Sequence, residues 1–168
     1  QLVLNSMYHL STPIENLPYS YYKELKDGKY KTYVARAIPV CLGDNYKGYR
    51  VVGTTPEFFA ESKFGPKYEF ETGRLFKQEE FFEGVVGYVA ARQANLKVGD
   101  KFEPTHGVTD DGQGHVHDPF TVVGILQPTG TPNDRAIFIN MEGFYLLDGH
   151  QKPVEKEPSQ PKKSEQDE

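Results

Sequence analysis

Short apolar runs fenced by turn residues set the limits on what this chain can fold into. Phe120 to Leu126 (FTVVGIL) and Ala136 to Asn140 (AIFIN) are β-rich runs, and the segment between them, QPTGTPNDR, carries proline and glycine at turn spacing. Upstream, Lys31 to Leu42 and Tyr49 to Gly53 read as two strands joined by the loop GDNYKG, a hairpin, and Gly84 to Tyr88 adds a further strand. Glu71, Thr72, Gly73 and Arg74 read as a turn. Helical signals are short and lie between these runs. Asn16 to Gly28 has Pro18 near its start, Gly28 as its stop, and Tyr19, Tyr22 and Leu25 spaced by three as an expected buried stripe. Thr54, Thr55, Pro56 and Glu57 open a helical turn carrying Phe58 and Phe59, read as core. Val89 to Leu96 is an alanine-rich helix ending in the turn Lys97 to Asp100, and Asn140 is placed to cap a last helix from Met141 to Leu147. No fixed repeat period is present, which argues against solenoids and propellers. The interleaving predicts an α+β fold.

Past Gly149 the sequence changes to QKPVEKEPSQPKKSEQDE, which holds almost no apolar residues and cannot bury a core. Residues 150–168 are expected to be a disordered polar tail or an insertion. The whole chain has 168 residues, room for one domain or two small lobes. With 24 acidic and 19 basic residues its formal charge is -5, so it offers no long-range attraction to phosphate backbones, and nucleic acid is not an expected partner. No apolar run approaches the roughly 20 residues of a membrane span, and the start lacks a signal-peptide pattern. The beginning at Gln1 predicts a fragment of a longer protein.

Tests for familiar chemistry fail in turn. There is no phosphate-binding glycine loop, no dinucleotide fingerprint after a strand, and no serine in a glycine-flanked nucleophile elbow. Glu79 with Glu80 and Asp110 with Asp111 are adjacent carboxylates, whose side chains diverge on a strand or a helix. Cys41 is the lone cysteine, lies in the apolar run Ala37 to Leu42, and reads as buried. Arg135 is placed to anchor its loop by pairing with Asp134 or a nearby carboxylate. No catalytic residue is assigned.

The densest chemical segment is Thr105 to Asp118, THGVTDDGQGHVHD, which holds three of the five histidines. Residues two apart on a strand share a side, so His115 and His117 can offer two imidazoles to one ion, with His106 as a third across the glycine-rich loop. Asp110, Asp111 or Asp118 could complete the set. The other reading is a polar hairpin in which His, Asp and Gly serve solvation and turn geometry. A transition metal is the one cofactor this segment admits.

The order VVGTTPEFF, ETGRLF, EGVVGYVAARQANLKVGDKF and FTVVGILQPTGTPNDRAIFIN resembles the periplasmic core domain of MacB-type and FtsX-like ABC transporter permeases. The matching features are Val51, Val52 and Gly53 before Phe58 and Phe59; Gly73 and Arg74; Lys97 to Asp100 after an alanine helix; and Phe120 to Ile125. The likeness covers roughly residues 1–150. It implies a small mixed sheet with helices, a porter-like lobe from residues 1–59 and about 141–149, plus a β-rich second lobe from residues 60–140. It also implies a domain on the periplasmic side of the bacterial inner membrane, inserted between the first two transmembrane helices of a permease.

Such a domain does no bond chemistry. The family resemblance implies that it contacts a substrate, a lipoprotein or a periplasmic adaptor and relays ATP-driven movement, with ATP bound by a separate ATPase domain or subunit. The polar tail stands where the family places a strand closing its first lobe, and the histidine-rich hairpin is not a general family feature. Two other readings stay open on the residues: a stand-alone extracytoplasmic module binding a metal or small ligand through His106, His115 and His117, and a hydrolase with an unfamiliar site.

Overall fold

The computed structural model describes residues 17–61, 65–106, 115–116 and 119–147. Its centre is built from the runs that the sequence marks most strongly. Strands β4 (Glu83–Val86), β8 (Phe120–Leu126) and β9 (Ala136–Asn140) lie side by side, and all five residues of β9 are buried. A run with no polar face fits only a strand covered on both sides, and the side chains of β9 alternate between two cores. Ile137 and Ile139 join Val51, Val86, Phe102 and Phe120 on one face. Ala136 and Phe138 join Val52, Phe59, Phe76, Val85 and Leu126 on the other.

Around that centre the described strands form one mixed sheet in the order β3-β8-β4-β9-β2-β1-β6-β7. Here β1 is Cys41–Tyr46, β2 Tyr49–Thr54, β3 Phe70–Gly73, β6 Thr105–His106 and β7 His115–Val116. A short β5 (Lys101–Phe102) pairs with the start of β8. β2 runs parallel to β9 and β4 parallel to β8, whereas β4 and β9 are antiparallel. Strands from residues 1–59 and from residues 60–140 thus join in a single sheet. Among the described residues three α-helices accompany it: α1 (Tyr19–Lys26), α2 (Tyr88–Ala94) and α3 (Met141–Leu146). Ala90, Ala91 and Ala94 of α2 and Phe144 of α3 pack on the first core. The fold is α+β.

Several local expectations are corrected by hydrogen bonding. The strand expected from Lys31 begins only at Cys41, because residues 29–33 turn, with Lys31 N–H on Gly28 O at 3.1 Å and Tyr33 N–H on Tyr30 O at 2.9 Å. The expected loop GDNYKG is mostly strand, and the hairpin turns on Lys47 and Gly48 alone, both at positive φ (49° and 81°), as a tight two-residue connection requires. The expected turn Glu71 to Arg74 is instead β3 and its exit. Gly73 ends it at φ 77°, where an added Cβ would lie 2.1 Å from Val123 O. The helical turn after Thr55 is a 3-10 helix, Pro56–Phe59, and the Thr54 hydroxyl donates to Pro39 O at 2.8 Å in place of capping it. α2 starts one residue earlier than expected and stops at Ala94. Asn95 adopts the left-handed conformation there (φ 56°) and its N–H reaches the Ala91 and Arg92 carbonyls.

Candidate functional site

α1 starts after Pro18, whose fixed φ suits a helix entry, and carries Lys23 and Lys26 in its last turn, where a cation complements the helix dipole. Gly28 closes it, with its N–H on Lys23 O at 3.0 Å. The buried stripe expected from Tyr19, Tyr22 and Leu25 is absent: no residue of this helix is buried, and Leu25 is 38% exposed. Three-residue spacing makes a helix amphipathic, but burial also needs an element to cover the stripe. Leu17 just before the helix, Tyr21 on it, and Tyr30 and Tyr33 in the turns after it face solvent, the last at 86% exposure. Beneath α1 runs an open groove of about 530 Å³, lined among others by Tyr19, Tyr22, Lys26, Glu57, Met141 and Glu142. Lys26 spans it, 3.5 Å from Glu57 Oε1 and donating to the Tyr22 hydroxyl at 3.0 Å. The Tyr22 hydroxyl raises the Lys26 ammonium above its ordinary range, and the Thr55 hydroxyl, with Lys26 a lesser cause, lowers the Glu57 carboxyl.

The histidine segment stands at the opposite edge of the sheet from β3. β6 and β7 are antiparallel, with His106 directly across from His115, and on its other side His106 is in register with Asp44 of β1. Asp44 is 3% exposed. His117, Asp110, Asp111 and Asp118 lie outside the described residues. Among the described side chains, no three His, Cys, Asp or Glu converge. Asp44 was not legible as part of this group, since GDN read as loop and its partner strand lies about sixty residues away in the sequence.

The loop 127–135 is organised from within. Asp134, 8% exposed, accepts from Thr129 N–H at 2.8 Å, Thr129 Oγ1 at 2.7 Å and Gly130 N–H at 2.9 Å. Its carboxylate therefore serves the loop backbone, and Arg135, expected to pair with it, lies with its guanidinium 5.6 Å from the centre of the Tyr49 ring. Threonine and glycine four to five residues before an aspartate were the signal available for this arrangement. The backbone of Gly87, at the start of α2, packs so closely on this loop that a Cβ there would fall 2.3 Å from Asn133 O. Glu79 and Glu80 are exposed, as solvated carboxylates are. Cys41 is half-buried rather than fully buried, its thiol 3.4 Å from the Tyr145 hydroxyl, and burial raises its pKa, away from the thiolate a nucleophile needs. On the far edge Arg74 forks onto Glu83, Nη1 to Oε2 at 2.8 Å, and holds that carboxyl below the usual range.

The described residues thus form a mixed sheet accompanied by short helices, an α+β architecture. The sequence profile of the MacB-like periplasmic core domain family matches residues 3–159. The chain belongs to that family, whose members are the extracytoplasmic domains of ABC transporter permeases. Among solved structures it resembles the periplasmic region of MacB from Actinobacillus actinomycetemcomitans, with TM-score 0.51 and 13% identity over 82% of this chain and 61% of that one. It also resembles the extracellular domain of the noncanonic ABC-type transporter YknZ from Gram-positive bacteria, with TM-score 0.48 and 18% identity over 77% and 65% of the two chains. The chain therefore spans less than two thirds of either structure. It has no match among curated proteins. Among the described residues no helix is long and apolar enough to cross a membrane.

Proposed function

We propose that this chain is the part of an ABC transporter permease that contacts a substrate or periplasmic partner outside the membrane and relays ATP-driven movement of the membrane helices to it, in export or efflux. The observation that carries the reading is family membership over nearly the whole chain, residues 3–159. The uncovered face of α1 supports it. Leu17, Tyr21, Leu25, Tyr30 and Tyr33 form an exposed apolar and aromatic series within one short segment, a composition that suits a docking surface. The parallel pairings β2/β9 and β4/β8 add a rigid body through which movement can pass, because all of β9 is buried between two cores. In this reading the chain has no catalytic role, and ATP belongs to a separate ATPase domain or subunit. A stand-alone ligand-binding module is not favoured, since family membership accounts for the chain as part of a permease.

The test is transport by the parent permease with its ATPase in vesicles, comparing the native chain with a Tyr21→Ser, Leu25→Ser, Tyr33→Ser variant. All three positions are exposed, so folding is retained. Transport is expected to fall about tenfold, the scale of a modest coupling free energy, while ATP hydrolysis continues. Transport at the native rate would refute the contact role of α1.

A further inference from the structure

We infer that the groove beneath α1 binds a neutral hexopyranose oligomer. On the α1 side it is lined by Tyr19, Tyr22, Lys23 and Lys26. Positions i, i+3, i+4 and i+7 form one stripe of a helix, the stripe that an amphipathic helix keeps apolar and buries on its core. Here that stripe carries hydroxyls and ammonium groups, no residue of the helix is buried, and about 530 Å³ stays open beneath it. Exposed Tyr21 and Leu25 lie on the opposite stripe of the helix. The groove is therefore separate from the outer face of α1, and the inference is independent of the transport reading.

The facing wall is held in place from within the fold. The buried side chain of Asn140 donates to Gln78 O at 2.9 Å and accepts from Glu142 N–H at 2.9 Å, which sets both residues at the groove. Glu57 stands on the 3-10 helix that buried Phe59 anchors. The charges around the groove nearly balance, Lys23 and Lys26 against Asp27, Glu57 and Glu142, so an ionic ligand of either sign meets like charge. A hydroxyl meets none. It accepts from an ammonium and donates to a carboxylate at once, so it can join Lys26 Nζ and Glu57 Oε1, 3.5 Å apart and both half-exposed, without breaking their pairing. The Gln78 amide adds donors and an acceptor, and the tyrosine rings with Met141 add apolar surface. A pyranose matches this lining, since it sets several hydroxyls around an apolar ring body. The groove volume lies within the range of about 300–1,000 Å³ usual for small-molecule sites.

The experiment is titration of the isotope-labelled chain with maltotetraose and, in parallel, with tetra-N-acetylchitotetraose, followed by amide NMR shifts; the two probes separate plain from N-acetylated sugars. The expected result is saturable binding of at least one sugar, with shifts confined to α1 and to residues 55–57, 78 and 141–142. Lys26→Ala and Glu57→Gln are each expected to weaken it at least about fivefold, the scale of one hydrogen bond. Both side chains are half-exposed, so the fold is retained, and the unshifted amides of the sheet verify this. Tyr21→Ser is expected to leave the affinity unchanged. Absence of saturable shifts with either sugar overturns the proposal, as does unchanged affinity in both groove variants. Loss of binding in Tyr21→Ser also overturns it, by moving the contact to the outer face of α1. Tighter binding of alanyl-alanine, citrate or spermidine than of either sugar would assign the groove to an ionic ligand instead.

Discussion

Truncation of Phe138 to alanine is expected to lower the unfolding free energy by about 3–5 kcal/mol, the range for removing a buried phenylalanine ring. Phe138 is fully buried at the middle of β9. Its ring lies 5.2 Å from Phe58 and 5.3 Å from Phe59, which in turn meets Phe76 at 5.8 Å. In register it sits between Val52 of β2 and Val85 of β4. The cavity left behind cannot collapse, because the strands around it are fixed by ladders on both sides. The loss includes aromatic pair energies beyond buried area. Urea unfolding of the isolated chain reads the effect, with the midpoint of thermal unfolding falling by roughly 10 °C. Phe138→Leu should recover a large part of it. A loss below about 1 kcal/mol for Phe138→Ala would mean that this face of the sheet is not the packed core described here.

Asn140 is the second position of large effect, and here the loss is polar. The side chain is fully buried and used at both ends. Its Oδ1 accepts from Glu142 N–H at 2.9 Å, capping α3, while its Nδ2 donates to Lys77 O at 3.0 Å and Gln78 O at 2.9 Å, with Glu80 O at 3.4 Å. One residue thus stitches the end of β9, the start of α3 and the loop before β4. Alanine removes the cap, worth about 1 kcal/mol, and the amide hydrogen bonds to the carbonyls of the exposed residues Lys77, Gln78 and Glu80, each worth about 0.5–1.5 kcal/mol net. A total near 3 kcal/mol is expected. Asn140→Asp separates the two parts: the cap acceptor survives, but an acceptor-only carboxylate then faces three carbonyl oxygens. Both variants should therefore destabilise. Equal stability of Asn140→Asp and the native chain would show that the carbonyl contacts carry no energy.

What the sequence disclosed follows from the range of each signal. Asn140 as a cap and the runs Phe120–Leu126 and Ala136–Asn140 were legible, because a cap, an apolar run and its flanking turn residues lie within a few positions of each other. The start of β1 was not. Lys31 to Val40 is apolar enough to suggest a strand, yet local hydrogen bonds from Tyr30 to Tyr33 hold its first part in turns, and Pro39 has no N–H to give a ladder. The parallel pairings were likewise hidden, since register between β2 and β9 is set by strands more than eighty residues apart.

At the candidate sites the same division holds. The three histidines were conspicuous as a cluster, whereas Asp44 entered only through the β1–β6 ladder. Tyr19, Tyr22 and Leu25 marked a helix by their spacing, but spacing carries no information on whether another element covers them. The ordered family motifs reached further than any of these local signals. They fall on β2, β3, β4, β8 and β9, so their agreement registers the fold even where single elements are misread.

The most direct test of the account is thiol labelling of Leu25→Cys in a Cys41→Ser background, made in the full-length parent permease with its ATPase. A membrane-impermeant maleimide is applied to intact spheroplasts, with the ATPase either resting or trapped with ATP. Leu25 is exposed on α1, so an extracytoplasmic relay predicts reaction from outside without lysis, at a rate that changes between the two states of the ATPase. Reaction only after lysis, or the same rate in both states, would contradict it.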